Sequence, residues 1–362
     1  MHFLGELDAL RIPEHAYVNP ETDAAHCCGH HAQMAGIFGA ALALTVPEIA
    51  EKLGGQVVFF ATPAEEYGEI EFKNQLREQG KIRYGGGKCE LIRTGAFDDI
   101  DLCLAHHIQP GDEIQVGSGT GNGFVSKVIR YLGKAAHAAG APDKGVNALS
   151  AASLGLQALG LNRETFRDED CVRVHPIITK GGNLVNVIPD EIVIETLVRA
   201  KTIEAFTDAA KKTDRSFQAG AVAMGAKVEI ITLPGYLPTL AEQALPELKR
   251  AAELAAPEVP VREAAGHSGG STDVGDVQHL MPVYTFNTGG VKGGLHQINF
   301  EVTNEEEAYI DTAKMFALAA YGLLKEKAAR SKELVKNYKP VFKDSAEYTK
   351  FMEQFDSKEV LD

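Results

Sequence analysis

Residues 26–33 read HCCGHHAQ, three histidines and two cysteines in eight positions. Cys28 and His30 could reach one cation if the backbone bends at Gly29, the residue type that takes such bends most easily. A borderline-soft ion such as Zn²⁺ accepts thiolate, imidazole and carboxylate ligands together. The bland reading stands beside this one, because adjacent cysteines also serve as small core residues and histidine runs as surface. A redox pair fits poorly, since vicinal disulfides are strained. Glu65 and Glu66 follow the apolar run VVFFATPA. One of these carboxylates could bind a metal while its neighbour accepts a proton, or both could be solvated at a loop start. His106 and His107 end LCLAHH, and on a strand only one of two successive side chains can face a given site. His296 lies in a Gly-rich segment after PVYTFN, Asp8 ends FLGELD, and His137 in GKAAHAAGAP reads by itself as a surface-loop histidine.

These groups act together only if the fold gathers their segments. HFLGEL, QVVFFAT and IDLCLAHHI read as buried strands, with a helix over about 29–51 between the first two. The polar, Gly-rich stretch EYGEIEFKNQLREQGKIRYGGGK reads as loop and surface helix. Apolar strands alternating with helices specify a mostly parallel sheet, whose ligands bind at the carboxyl ends of the strands. Asp8, Glu65, Glu66, His106, His107 and His296 all fall at such ends.

The texture changes after about residue 118. FVSKVIRYL alternates like a solvent-faced strand, and NALSAASLGLQALG is helical. VRVHPIIT and EIVIETLVRA form an expected antiparallel pair, followed by a helix over 203–224 and the strand AKVEIITL. That order describes a small α+β sandwich over 118–234 with one open sheet face. The α/β texture then returns, with a helix near 240–255, a strand at PVYTFN and a long helix from Asn304. Thr303 and Glu306 form an expected capping box there. Beyond Arg330 the tail reads as a charged peripheral helix. The parse is a discontinuous catalytic domain (1–117 and 235–362) interrupted by an inserted domain (118–234).

A net charge of −14 argues against nucleic acid or an anionic membrane as partner. No apolar run reaches the about 18 residues that a membrane span needs. MHFLGELDAL has neither the basic nor the apolar region of a secretory leader. Five cysteines without framework spacing point to a reducing compartment, and so to the cytoplasm.

In chain order, ELDAL, CCGHHAQ, TPAEEYG, AHHIQPG, GKAAHAAGAP, GGNLVNVIPD, GSTDVGDV and GLHQ cover nearly the whole sequence. Together they resemble the aminoacylase/carboxypeptidase family of dinuclear metallopeptidases. Within it they resemble the amidohydrolase branch of N-acyl-amino-acid, indole-acetyl-amino-acid and p-aminobenzoyl-glutamate hydrolases, and GSTDVGDV leans toward the last of these. The resemblance implies an α/β fold with a phosphorylase/hydrolase-like three-layer catalytic domain. To this it adds an inserted ferredoxin-like dimerisation or lid domain, and hence a homodimer. It implies two divalent ions per subunit, Zn or Mn, held by Cys28, His30, Glu66, His107 and His296. Glu65 is then the general base and Asp8 orients a ligand. His137 stabilises the oxyanion of a neighbouring site, and Asn186 and Arg199 contact substrate.

The implied reaction is metal-dependent hydrolysis of an amide bond in an N-acyl amino acid or peptide-like small molecule. A dipeptidase or carboxypeptidase acting on short peptides has the same ligand set, and a catalytically weak metal-binding scaffold would share the fold. Three features depart from the family pattern. His31 stands where an aspartate is usual, and Glu6 stands where the wider family often has a histidine. The chain also begins almost at its first motif, so either the start is truncated or the first strand is unusually exposed.

Overall fold

A computed structural model gives the fold and describes residues 1–361. The first sheet has six strands in the order Val261–Glu263, Ile114–Val116, Val283–Thr288, Cys103–Ile108, His2–Glu6, Val58–Thr62. All pairings are parallel except that between Ile114–Val116 and Val283–Thr288. Alternation along the strands divides the core. Phe3, Leu104 and Phe286 pack with the helix His30–Leu44 and with the helical segment Thr312–Asn337, which breaks at Lys325–Ala328, while Leu4, Cys103 and Ala105 face the opposite layer. The first strand is fully buried between two neighbours, not exposed, because pairing on both edges and helices on one face enclose it.

The second sheet is antiparallel, in the order Ile177–Lys180, Glu191–Ala200, Gly123–Leu132, Lys227–Pro234, Ser357–Leu361. Its first four strands, with helices Ala148–Asn162 and Ile203–Met224 between them, have the connectivity of a ferredoxin-like unit. The chain is thus α/β, with a mixed, mostly parallel six-stranded sheet and a separate antiparallel sheet unit.

Several expectations are corrected. The helix expected over 29–51 ends at Leu44, and a separate turn begins at Pro47, whose ring and missing N–H cannot continue a helix. Gly123–Leu132 is buried almost throughout, not solvent-faced. Its polar residues Ser126 and Lys127 point to opposite faces, and both are buried and partnered. Lys127 Nζ reaches Asp214 at 2.8 Å and Thr232 Oγ1 at 2.7 Å, and Ser126 Oγ donates to Tyr67 OH. The sheet face expected to be open instead packs on residues 67–78 of the first unit. Tyr67 meets Phe124 and Tyr236 edge-on, and Arg130 pairs with Glu71. Thr303 does not cap the long helix; its hydroxyl donates to Gly290 O, and Asn304 Oδ1 accepts from Glu307 N. The tail is more than a peripheral helix. After Asn337 it forms the helix Ser345–Met352, then adds the edge strand Ser357–Leu361 to the second sheet. No described helix is long and apolar enough to cross a membrane.

Candidate metal centre

The strand His2–Glu6 lies between Val58–Thr62 and Cys103–Ile108 in the first sheet, so Glu6 and Asp8 emerge between the loops that follow those two strands. Gly29 then makes the bend that HCCGHHAQ requires, with φ +87°. Only glycine fits it, because a Cβ there would lie 2.1 Å from Ile108 Cγ2. The bend starts the helix His30–Leu44 and turns Cys28 and His30 toward the same space. The Glu65–Glu66 loop holds Ala64, Tyr67 and Glu69 at positive φ, and His296 also sits there (φ +63°). Non-glycine residues adopt this region rarely, and such strain gathers where function needs a particular geometry.

Cys28 Sγ lies 3.5 Å from His107 Nε2 and 3.2 Å from His296 Nε2. His296 Nε2 lies 3.4 Å from Glu66 Oε1, and His30 Nε2 lies 3.9 Å from both Glu65 Oε2 and Glu66 Oε1. Three overlapping sets have donor atoms mutually within 4.8 Å: Cys28–His30–His107, Cys28–Glu66–His296 and Glu6–His30–Glu65. Behind them Asp8 holds the array. Its Oδ2 accepts from Glu66 N at 2.9 Å, and its Oδ1 and main-chain oxygen lie 3.4 and 3.0 Å from His30 Nδ1. His106 turns away and bonds Thr288 Oγ1 at 2.8 Å. Cys27 is fully buried in an apolar cluster with Phe300, and His26 is exposed. His31 packs edge-on to Phe300 and Tyr309, and its buried Nδ1 has no hydrogen-bond partner.

Burial opposes charge on His30, but the Asp8 hydrogen bond and the Glu6 and Glu65 charges outweigh it and lift its pKa to about 9. Burial, then Glu6 and Asp273, push the Glu65 carboxyl well above the usual range despite Lys88. Burial and the Glu66 and Glu65 charges raise the Cys28 thiol. Burial lowers His107, partly offset by Glu6. A cation among these groups would reverse the penalty on Cys28, since coordination favours the thiolate. The donor set fits such an ion. His30 Nε2, Glu66 Oε1 and Asp8 Oδ1 are buried without a hydrogen-bond partner, and buried polar atoms are seldom left so.

The cluster forms one wall of a cleft of about 680 Å³. The other wall carries Arg199, Thr239, His267 and Ser271. Arg199 Nη1 donates to Ser271 Oγ at 2.9 Å, and its Nε is buried and unpartnered. His137 and Asn186 are not brought to this cleft. Both are exposed on the second unit, joined by a bond from Ala138 N to Asn186 O, beside Leu184 and Val185. Sequence reasoning missed Lys88, Gln33 and Tyr236. Gln33 and Lys88 bond Glu6, and Tyr236 OH donates to Glu65 O at 2.5 Å. The one available signal for Lys88 was the run of three glycines before it.

A profile of peptidase family M20/M25/M40 matches residues 2–321. Over 348 residues the chain is 28% identical to the Xaa-Arg dipeptidase of Mus musculus, covering 93% of this chain and 70% of that one. It is 31% identical over 205 residues to the N-acetyl-L-cysteine deacetylase of Bacillus subtilis, 54% of this chain and 44% of that protein. A solved dinuclear metal-binding peptidase of family M20 from Bacillus subtilis superposes with a TM-score of 0.58 at 22% identity. That match covers 90% of this chain and 81% of the other, and establishes a shared fold.

Proposed function

The chain belongs to peptidase family M20/M25/M40, a family of metallohydrolases, and from that premise we propose that it hydrolyses an amide bond in an N-acyl amino acid or peptide-like small molecule. The observation that carries this reading is the convergence of two unpartnered buried ligand atoms, on His30 and Glu66, around Cys28 at the carboxyl end of the parallel strands. In this reading Cys28, His30, Glu66, His107 and His296 hold two divalent cations, zinc or manganese. When bound, these supply a nucleophilic water near neutral pH and positive charge for the carbonyl oxygen.

Glu65 takes the proton from the attacking water and returns it to the leaving amine, a role suited to a carboxyl whose pKa burial has raised. Asp8 accepts from the His30 ring at its main-chain oxygen and from Glu66 N at Oδ2, which fixes two ligands at once. Arg199 takes a substrate carboxylate, with Ser271 holding its guanidinium at the right angle. Residues 118–234 serve as the lid and dimerisation unit in this reading. The exposed apolar residues Ile177, Leu184 and Val185 would be covered by a second copy, whose site would receive His137 and Asn186. His137 would donate to the oxyanion there. Five unpaired cysteines suit a reducing compartment, and this reading places the enzyme in the cytoplasm.

A second reading, dipeptidase activity, is favoured by the span of the match to the Xaa-Arg dipeptidase, which covers 93% of this chain. Both are tested together by stripping the protein with a chelator, reloading it with Mn²⁺ or Zn²⁺, and assaying N-acyl amino acids and dipeptides. Hydrolysis should vanish and return with the metal, and Glu65→Gln should bind metal normally while losing about 10²–10⁴-fold in kcat. A metal-loaded protein inert on both substrate classes would defeat the proposal, and metal loss in Glu65→Gln would make Glu65 a ligand instead.

A further inference from the structure

Lys88 is fully buried, a costly place for an ammonium, and no step of the reaction above uses it. It sits in the first turn of the helix Gly87–Arg93. Its main-chain N–H donates to Asp273 Oδ2 at 2.9 Å, and its ammonium donates to Asp273 Oδ1 and to Glu6 Oε1, both at 2.6 Å. Two bonds to one carboxylate leave the lysine little freedom. The three glycines before it let the chain come so close. A Cβ on Gly87 would lie 1.6 Å from Pro63 O, one on Gly86 2.2 Å from the Tyr236 ring, and one on Gly85 2.6 Å from the Tyr67 ring. The helix start therefore presses on the loop that carries Glu65, and Gly87 N donates to Ala64 O.

With Oε1 committed to Lys88, Glu6 has only Oε2 to offer. That oxygen accepts from Gln33 Nε2 at 2.8 Å and lies 3.1 Å from His30 Nε2, within the donor set Glu6–His30–Glu65. One ammonium between two carboxylates leaves a net negative charge, and Oε2 presents it to His30. Asp273 follows Ser271 and Thr272 of the cleft wall, and Ser271 is bonded to Arg199. A continuous line of covalent and hydrogen bonds therefore runs from Arg199 through Ser271, Asp273 and Lys88 to Glu6, whose Oε2 lies beside His30 Nε2.

We propose that Lys88 is a positioning residue: anchored by Asp273, it holds Glu6 so that Oε2 faces the cation site beside His30 and Glu65. The inference rests on the metallohydrolase reading and adds to it a buried group that acts through Glu6. Simple charge balance is the competing explanation, and neutral replacement separates the two. Replacing a buried ion set with uncharged groups of similar shape often leaves stability intact. The test compares the wild-type protein, Lys88→Met, Asp273→Asn and the triple variant Glu6→Gln/Lys88→Met/Asp273→Asn. The readouts are the Tm of chelated protein, the Kd for Mn²⁺ and Zn²⁺ from chelator competition, and kcat and KM.

Lys88→Met should lower the Tm of the metal-free protein, and the triple variant should recover most of that loss. The triple variant should nevertheless bind the cation about 10–100-fold more weakly, with a fall in kcat larger than any change in KM. Asp273→Asn keeps the lysine but loosens its anchor. The new amide NH2 must face a Lys88 N–H, so this variant should fold with a lowered Tm and lose several-fold in metal affinity, which gives a reading even if the triple variant does not fold. Wild-type metal affinity and kcat in the triple variant, or in Asp273→Asn, would reduce Lys88 to charge balance and overturn the inference alone. A wild-type protein that binds neither cation would overturn the metallohydrolase reading itself.

Discussion

The bend at Gly29 gives the sharpest mechanical test of the centre, because Gly29→Ala meets two separable penalties. A φ of +87° costs an alanine about 1–2 kcal/mol, since its Cβ crowds its own carbonyl. The new Cβ would also lie 2.1 Å from Ile108 Cγ2, while the next contacts, Ile108 Cβ and Phe300 Cζ, are at 3.5 and 3.6 Å. One methyl is therefore in the way, and overpacking of this kind adds about 1–3 kcal/mol. The sum is about 2–5 kcal/mol. Ile108→Ala removes that methyl and has its own cavity cost of about 2–5 kcal/mol. In the double variant the clash disappears and only the backbone penalty remains. Denaturant unfolding of the chelated proteins should show the double variant less destabilised than the sum of the singles, by about 1–3 kcal/mol. Gly29→Ala should also weaken metal binding, because Cys28 and His30 converge only across that bend. Additivity within about 0.5 kcal/mol would refute the steric argument, and so would a Gly29→Ala protein with wild-type stability and metal affinity.

Three further outcomes follow from the same geometry. Arg199→Ala should raise KM about 10–100-fold for substrates with a free carboxylate, the loss of one charge-assisted bond, and should leave their methyl esters nearly unaffected; equal effects on acid and ester would remove Arg199 from carboxylate binding. Burial, with the neighbouring His26 and His30 charges, holds His31 at a pKa of about 4, below the 6.5 of an unfolded histidine. Between those values the unfolded chain binds more protons, so stability falls as pH drops from about 6.5 toward 4, by up to about 3 kcal/mol. His31→Gln in chelated protein should flatten that acid limb, and an unchanged limb would show that His31 does not contribute to it. Lastly, mixing Glu65→Gln with His137→Ala subunits should regain turnover that neither variant has alone, if His137 serves a neighbouring site; a mixture as inactive as its components would restrict His137 to its own surface.

The donor set is legible in the sequence because each member is tied to a short local pattern. Glu6 and Asp8 end one apolar run, Glu65 and Glu66 follow another, and His107 closes a third. Parallel sheets place such ends on one edge, so chain order and strand polarity suffice to gather them. That only one of His106 and His107 can face the site is legible from the two-residue period; the choice of His107 rests on the family resemblance, and the structure turns His106 to Thr288 and Thr312. The bend at Gly29 is also a local property, set by one residue that lacks a Cβ.

What the sequence hides depends on partners far along the chain. Lys127 and Ser126 read as a solvent-facing edge because their polarity is visible and their partners are not. Asp214 lies 87 residues away and Tyr67 59 residues away, and nothing local announces either. The same blindness conceals Lys88, which meets Glu6 across 82 residues and Asp273 across 185. A lysine in a polar, Gly-rich stretch looks solvated until the fold supplies two buried carboxylates. The tail shows the problem at its largest scale. Its last strand pairs with Lys227–Pro234, and Asp356 and Glu353 pair with Arg77 and Arg83 of the first unit. Arg130, a residue of the second sheet, pairs with both Glu71 of the first unit and Glu229 of its own, and Lys358 of the tail joins Glu229. Charge patterning that reads as a solvated surface is therefore a seam between two sheets. Tyr67, three residues into the loop from Ala64, crosses that seam to donate to Pro234 O. The strained segment that presents Glu65 and Glu66 is thus braced by the second unit as well as by the strand that precedes it. A perturbation of the seam should accordingly be felt at the carboxylates.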